Sequence, residues 1–148
     1  MTKELEDLEK QFILNEDMEL EDIKGFVARI LKFCKIDSKV FVIIQRSKLR
    51  IVDKLLLILS ARYLANKLQQ KLGKEPGIAE IVNIKDLASM MKEKETVIIA
   101  RLKDLKDGKK VISQERGVYK VAPYAIKDFL TELEGVKNEW RRNSTIKR

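Results

Sequence analysis

The stretch IKDLASMMKEKETVIIARLKDLKDGKKVISQERGVYKV, residues 84–121, decides how the rest of the chain is read. Leu87, Ala88 and Met91 share one face of a short amphipathic helix, and the polar KEKE that begins at Lys92 makes a tight turn. A second amphipathic helix follows, with Ile98, Leu102 and Leu105 on one side and Gly108 closing it. The β-rich runs KKVIS and VYKV then flank Arg116-Gly117, which predicts a hairpin whose tip glycine supplies a positive φ.

Upstream, the longest element runs from about Lys48 to Leu72 and stops at Gly73, with Pro76-Gly77 beyond. Its centre, LLLILSARYLANKL, is apolar on more than one face, so it must be buried between layers or shared with a second subunit. A homodimer is expected, built on Leu56, Leu59 and Tyr63 together with the stripe Leu5, Leu8 and Phe12 of a first helix, Lys3 to Leu14. A second helix starts near Asp17 or Glu19 and carries Leu20, Ile23, Val27, Ile30, Leu31 and Cys34 through to about Lys35. Val40 to Gln45, VFVIIQ, reads as a buried strand whose partner is open, and Glu80 to Ile84 as a short strand. Downstream, Pro123 opens a helix from about Tyr124 to Val136 with Ile126, Phe129, Leu130 and Leu133 on one face, and Trp140 to Arg148 is expected to fray as a basic tail.

Composition bounds the function. No apolar run reaches the roughly 18 residues needed to cross a bilayer, and the start, MTKELEDLEK, has no apolar core of a secretory signal; a cytoplasmic protein without membrane contact is expected. The single cysteine, Cys34, excludes an internal disulfide and reads as an inert core residue. With no histidine, Ser-His-Asp and Cys-His catalysis and histidine-ligated metals are excluded, so no enzyme, cofactor or metal site is expected. Asp104 and Asp107 read as members of solvated ion pairs rather than as metal ligands. Abundant Lys, Glu and Ile with few Asn, Gln and Cys matches a thermophile's usage. Residues 1–22 hold nine acidic and two basic side chains, a net of −7, which leaves +15 on the rest of a chain whose total is +8. A basic body of that size attracts polyanions, because each cation that neutralises a phosphate releases counterions.

The helix, turn, helix and hairpin of residues 84–121, preceded by a long helix, resemble the winged helix-turn-helix superfamily, in particular archaeal and bacterial transcription regulators, over about residues 49–134. Ala88 matches the small residue such motifs place where the two helices cross. Lys92 stands where the turn glycine is usual and Glu93 where an apolar residue is usual. The resemblance implies a mainly α fold with a small β wing: residues 1–47 an N-terminal helical extension with one strand, 48–136 the winged domain, and 137–148 a basic tail. It also implies that the second helix enters a major groove of duplex DNA while the wing reaches the flanking backbone.

On that reading the face opposite the core presents Thr96, Ala100, Lys103 and Asp107, flanked by Val97, Ile99 and Arg101. Only Thr96, Arg101 and Lys103 could bond base edges, so binding is expected to be directed mainly at phosphates. The expected DNA contacts are Lys85, Lys92, Lys94, Thr96, Ala100, Arg101, Lys103, Lys109, Lys110, Arg116, Gly117 and Lys120. Tyr119, Tyr124 and Trp140 are weaker candidates for stacking on bases. A nucleoid-associated transcription regulator or chromosome-associated factor follows. The alternative is a protein-interaction module that uses the apolar Val97 and Ile99.

Overall fold

A computed structural model describes residues 3–6, 8, 20–45 and 48–146, the side chains of Gln114 and of residues 136–146 excepted. Helix α1 (Leu20–Ile30) leads into a hairpin of β1 (Cys34–Ile36) and β2 (Val42–Ile44). Helix α2 (Ile51–Lys71), strand β3 (Val82–Asn83), helix α3 (Ile84–Met91) and helix α4 (Glu95–Asp107) follow. Strands β4 (Val111–Glu115) and β5 (Val118–Val121) form a second hairpin before helix α5 (Ala125–Ile146). The described residues are therefore mainly helical with two small antiparallel sheets, β1-β2 and the three-stranded β3-β5-β4.

Every residue of α2 from Leu55 to Leu64 is buried, because α1, both strands of the first hairpin, α3, α4, β5 and α5 all pack on it. The dimer contact expected at Leu56, Leu59 and Tyr63 is corrected by this packing. They are 3%, 0% and 1% exposed within one chain, so these three side chains are not open to a second subunit, while α2 outside Leu55–Leu64 keeps partly exposed residues. Leu5 and Leu8 sit on helical backbone and are 67% and 58% exposed, whereas Phe12 lies outside the described residues. No described helix is long and apolar enough to cross a membrane.

The polar residues that interrupt α2 have structural work in its C-terminal half. The Arg62 Nε donates to Ala79 O (2.9 Å) and its Nη1 to Val40 O (3.4 Å), while Asn66 Nδ2 donates to Ile78 O (2.8 Å). Ile78 N in turn donates to Gln69 Oε1 (3.1 Å). These bonds satisfy the carbonyls of a connection with no regular structure of its own and return the chain to β3 alongside α2. Burial lowers the Arg62 pKa, with partial compensation from Asp86.

Three elements differ from the sequence expectation. The second helix stops at Ile30, and Cys34, expected on its apolar face, lies in β1, opposite Ile44. A helical and a strand pattern cannot be told apart over so few residues, and the Asp37 turn decides: its Oδ1 accepts from Lys39 N and Phe41 N, both at 2.9 Å. That turn supplies the missing partner of VFVIIQ and exposes one of its faces, so Val42 is buried while Phe41 and Ile43 are 41% and 52% exposed. The strand expected over Glu80 to Ile84 shrinks to two residues because Ile84 already begins α3, where Asn83 Oδ1 accepts from Asp86 N (2.7 Å). Finally, the backbone of α5 continues to Ile146 rather than fraying after Val136, with neither proline nor glycine beyond Gly135 to stop it.

Two predictions follow from the core. Ser60 is fully buried in α2 and its hydroxyl finds no partner among the described residues. Ser60→Ala should therefore raise stability by about 1 kcal/mol in denaturant unfolding, and a loss would mean that the hydroxyl is bonded in solution. Burial pushes the Cys34 thiol from 9 up to about 12. Over that interval the unfolded chain loses a proton that the folded chain keeps, so this group's contribution to stability is complete below about pH 9 and declines as pH rises. A thiol-disulfide reagent at pH 8 should label Cys34 only after unfolding.

Candidate nucleic-acid interface

Helices α3 and α4 meet through Leu87 and Ala88 on one side and Ile98, Leu102 and Leu105 on the other, all buried. This seating turns Thr96, Ile99, Ala100, Arg101, Lys103, Asp104, Lys106 and Asp107 outward. The outward face follows from helical geometry: at 100° per residue Thr96, Ala100, Lys103 and Asp107 lie opposite the core stripe. Arg101 Nη2 pairs with Asp104 Oδ2 at 3.4 Å, an exposed contact of little stabilising value that leaves the guanidinium free to exchange partners. Val97 is half-buried and, with Ile51, Thr96, Ala100 and Arg101, lines a shallow hollow of about 300 Å³ where α4 crosses the start of α2. Ile99 is 47% exposed.

Charge on α4 itself cancels, since Arg101, Lys103 and Lys106 face Glu95, Asp104 and Asp107. Six further cations stand at its borders, with Asp86, Glu93 and Glu115 beside them in the chain. Lys85 is exposed on α3, Lys92 and Lys94 precede α4, Lys109 and Lys110 follow it, and Arg116 is exposed at the tip of the β4-β5 hairpin. Lys94 is the N-cap of α4 and makes no side-chain capping bond. A cation at the positive end of a helix is electrostatically unfavourable, so this position is not explained by helix stability.

The way the helices end places two of these lysines. Helix α2 ends with Lys74 N on Gln69 O and Gly73 N on Gln70 O, both 3.0 Å, a cap that needs left-handed backbone; Gly73 provides it at φ 75°. Helix α3 ends by the same pair of bonds, Glu93 N on Ala88 O (3.1 Å) and Lys92 N on Ser89 O (3.4 Å), with Lys92 at φ 55°. Helix α4 ends alike, Lys110 N on Leu105 O (2.9 Å) and Lys109 N on Lys106 O (3.0 Å), with Lys109 at φ 60°. Gly108, expected to close α4 by its freedom, sits one residue too early, at φ −80°, which any residue adopts. A residue with a side chain in the left-handed region costs about 1 kcal/mol relative to glycine.

At the hairpin tip, Gly117 has φ 78° and its carbonyl accepts from Ile84 N (3.1 Å), which ties the hairpin to the start of α3. Lys120 is corrected as a contact residue. It is 7% exposed, and its Nζ lies 3.6 Å from Glu80 Oε1, while Lys67 Nζ lies 3.4 Å from Glu80 Oε2 and 5.3 Å from the centre of the Tyr63 ring. Alternation along β5 puts Lys120 on the face opposite Tyr119 and Val121, and there it is buried in an ion-pair cluster with Glu80. Tyr124 is half-exposed but its hydroxyl donates to Lys109 O (2.7 Å), so it braces the α4-β4 loop; Tyr119 packs against the core. The side chain of Trp140 lies outside the described residues.

The sequence reading left out Ile51, which reaches the α4 face only through the tertiary crossing, and Lys106, which helical spacing alone could have placed at the edge of that face. No family model, no curated protein and no solved structure matches the chain.

The two kinds of cation should separate in mutants. Lys120→Ala should cost about 2 kcal/mol of stability by leaving Glu80 with one cation instead of two. Arg116→Ala, at an exposed tip, should leave the thermal midpoint within about 1 °C. Equal midpoints for the two variants would remove the distinction drawn between them.

Proposed function

We propose that residues 51–133 form a winged helix-turn-helix that binds duplex DNA mainly through its phosphates, with α3 and α4 as the helical pair, α4 in the major groove and the β4-β5 hairpin as the wing. The carrying observation is the excess of exposed cations, Lys85, Lys92, Lys94, Lys109, Lys110 and Arg116 against Asp86, Glu93 and Glu115, at the borders of a helix whose own charges cancel. The element order helix, strand, helix, helix, hairpin, with β3 paired to β5, supports the same reading. On the outward face of α4, Thr96, Arg101 and Lys103 can bond bases, and Ala100 can touch a thymine methyl. Such a surface positions a protein on DNA with weak preference for sequence, as in a chromosome-associated factor or a regulator of broad range.

Ile99 favours a second reading. Its exposure on one flank of α4, with the hollow of Val97 and Ile51 on the other, suits apolar side chains of a protein partner. Titration of the protein into a random-sequence duplex at two salt concentrations tests the first reading. With about six phosphates neutralised, affinity should fall about 10³-fold between 50 and 200 mM salt. Absence of binding at the lower salt would leave the protein-partner reading in its place.

A further inference from the structure

We infer that Lys92 and Lys109 are phosphate contacts retained against the conformational preference of the backbone that holds them. The inference rests on the proposed duplex binding and names the two residues that bracket α4 as its anchors. Three helices end in the same hydrogen-bonded cap, and each cap demands one residue in the left-handed region. At α2 that residue is Gly73, the one for which this conformation is free of strain. At the two ends of the α3-α4 unit it is lysine, at φ 55° and 60°. Glycine would fit either position, and at α4 a glycine already stands next door, at Gly108, where the backbone does not need it.

Local stability gives only part of a reason for this choice. A lysine at a helix C-terminus gains a little from the dipole; at α4 that gain is as available from Lys106 or Lys110, whose backbones are unstrained, and at α3, where the last turn has no cation, Lys92 supplies it but only partly offsets the strain. The other left-handed side chain, Val40 at φ 66°, is fixed by the Asp37 turn, with its N–H donating to Asp37 O (3.0 Å) and its carbonyl accepting from Arg62. Backbone strain that local packing does not require gathers where function requires a side chain. What the two positions share is their placement: one precedes the first turn of α4, the other follows its last, and both side chains are exposed. Thirteen residues of helix put them about 20 Å apart along the axis, so that with α4 seated in the groove they meet phosphates at its two ends.

The test pairs stability with the salt dependence of duplex binding. Lys92→Gly and Lys109→Gly should each raise the thermal midpoint by about 3 °C and lower the slope of log affinity against log salt by about one. Lys92→Arg and Lys109→Arg keep the cation and should keep the wild-type slope. Lys74→Ala, beside the Gly73 cap, should leave the slope unchanged. Glycine variants that gain stability yet bind with the wild-type slope would overturn the inference while leaving duplex binding intact. A glycine variant whose midpoint falls would overturn it from the other side, because the lysine would then be stabilising. Wild-type protein that binds no duplex at 50 mM salt would instead remove the reading on which the inference stands.

Discussion

The constraint on which the rest of the structure depends is the burial of α2 on all sides. A helix carrying Leu55, Leu56, Leu57, Ile58 and Leu59 in succession cannot present one face to water, so the chain must supply layers around it. It does so with α1 and the first hairpin from the N-terminal third and with α3, α4, β5 and α5 from the C-terminal two-thirds. The helix then acts as the shared wall of two assemblies that also meet directly where α1 packs on α5. Arg29, which bonds Glu134 and Thr131, is one of the few polar links that close the ring directly between α1 and α5. That pairing holds the Glu134 carboxyl below its ordinary pKa.

Polarity is distributed along α2 to match. Its N-terminal end meets α4 through Ile51, and its middle is apolar. Its C-terminal half uses Arg62, Asn66, Lys67 and Gln69 to fasten the chain that returns to β3. Because β3 is only two residues long, this fastening does more than strand pairing to set where α3 begins. Glu80 extends the arrangement to β5 by accepting Lys120 as well as Lys67, so a lysine that looks like surface charge becomes part of the frame.

Most of the exposed cations around α4 that its own acids do not match are set by helix ends and turns rather than by helix faces. Lys92, Lys94, Lys109 and Lys110 lie where backbone leaves or enters a helix, and Arg116 lies where a hairpin reverses. Such positions hold a side chain's origin firmly while leaving its tip in water, which suits long-range attraction to a polyanion better than close reading of base edges. On the proposed function, α4 supplies shape and its borders supply charge.

Much of this was legible in the sequence because it rests on local rules. The apolar spacing of Leu87, Ala88, Ile98, Leu102 and Leu105, the stop at Gly73 and the turn at Arg116-Gly117 each follow from the chain's own periodicity and from glycine's conformational range. The boundary near Ile30 was not legible, since Phe33 and Cys34 fit a helix face as well as a strand and only pairing with Val42 to Ile44 decides. Nor was the burial of Lys120, which depends on Glu80 arriving from a different part of the chain. Sequence alone determined that α2 must be covered completely, because the transfer of so many leucines from water admits no other outcome. Only the tertiary structure decided what covers it. The chain's own α1, hairpin and later helices reach Leu56, Leu59 and Tyr63 first, and contacts within one chain require no association to form.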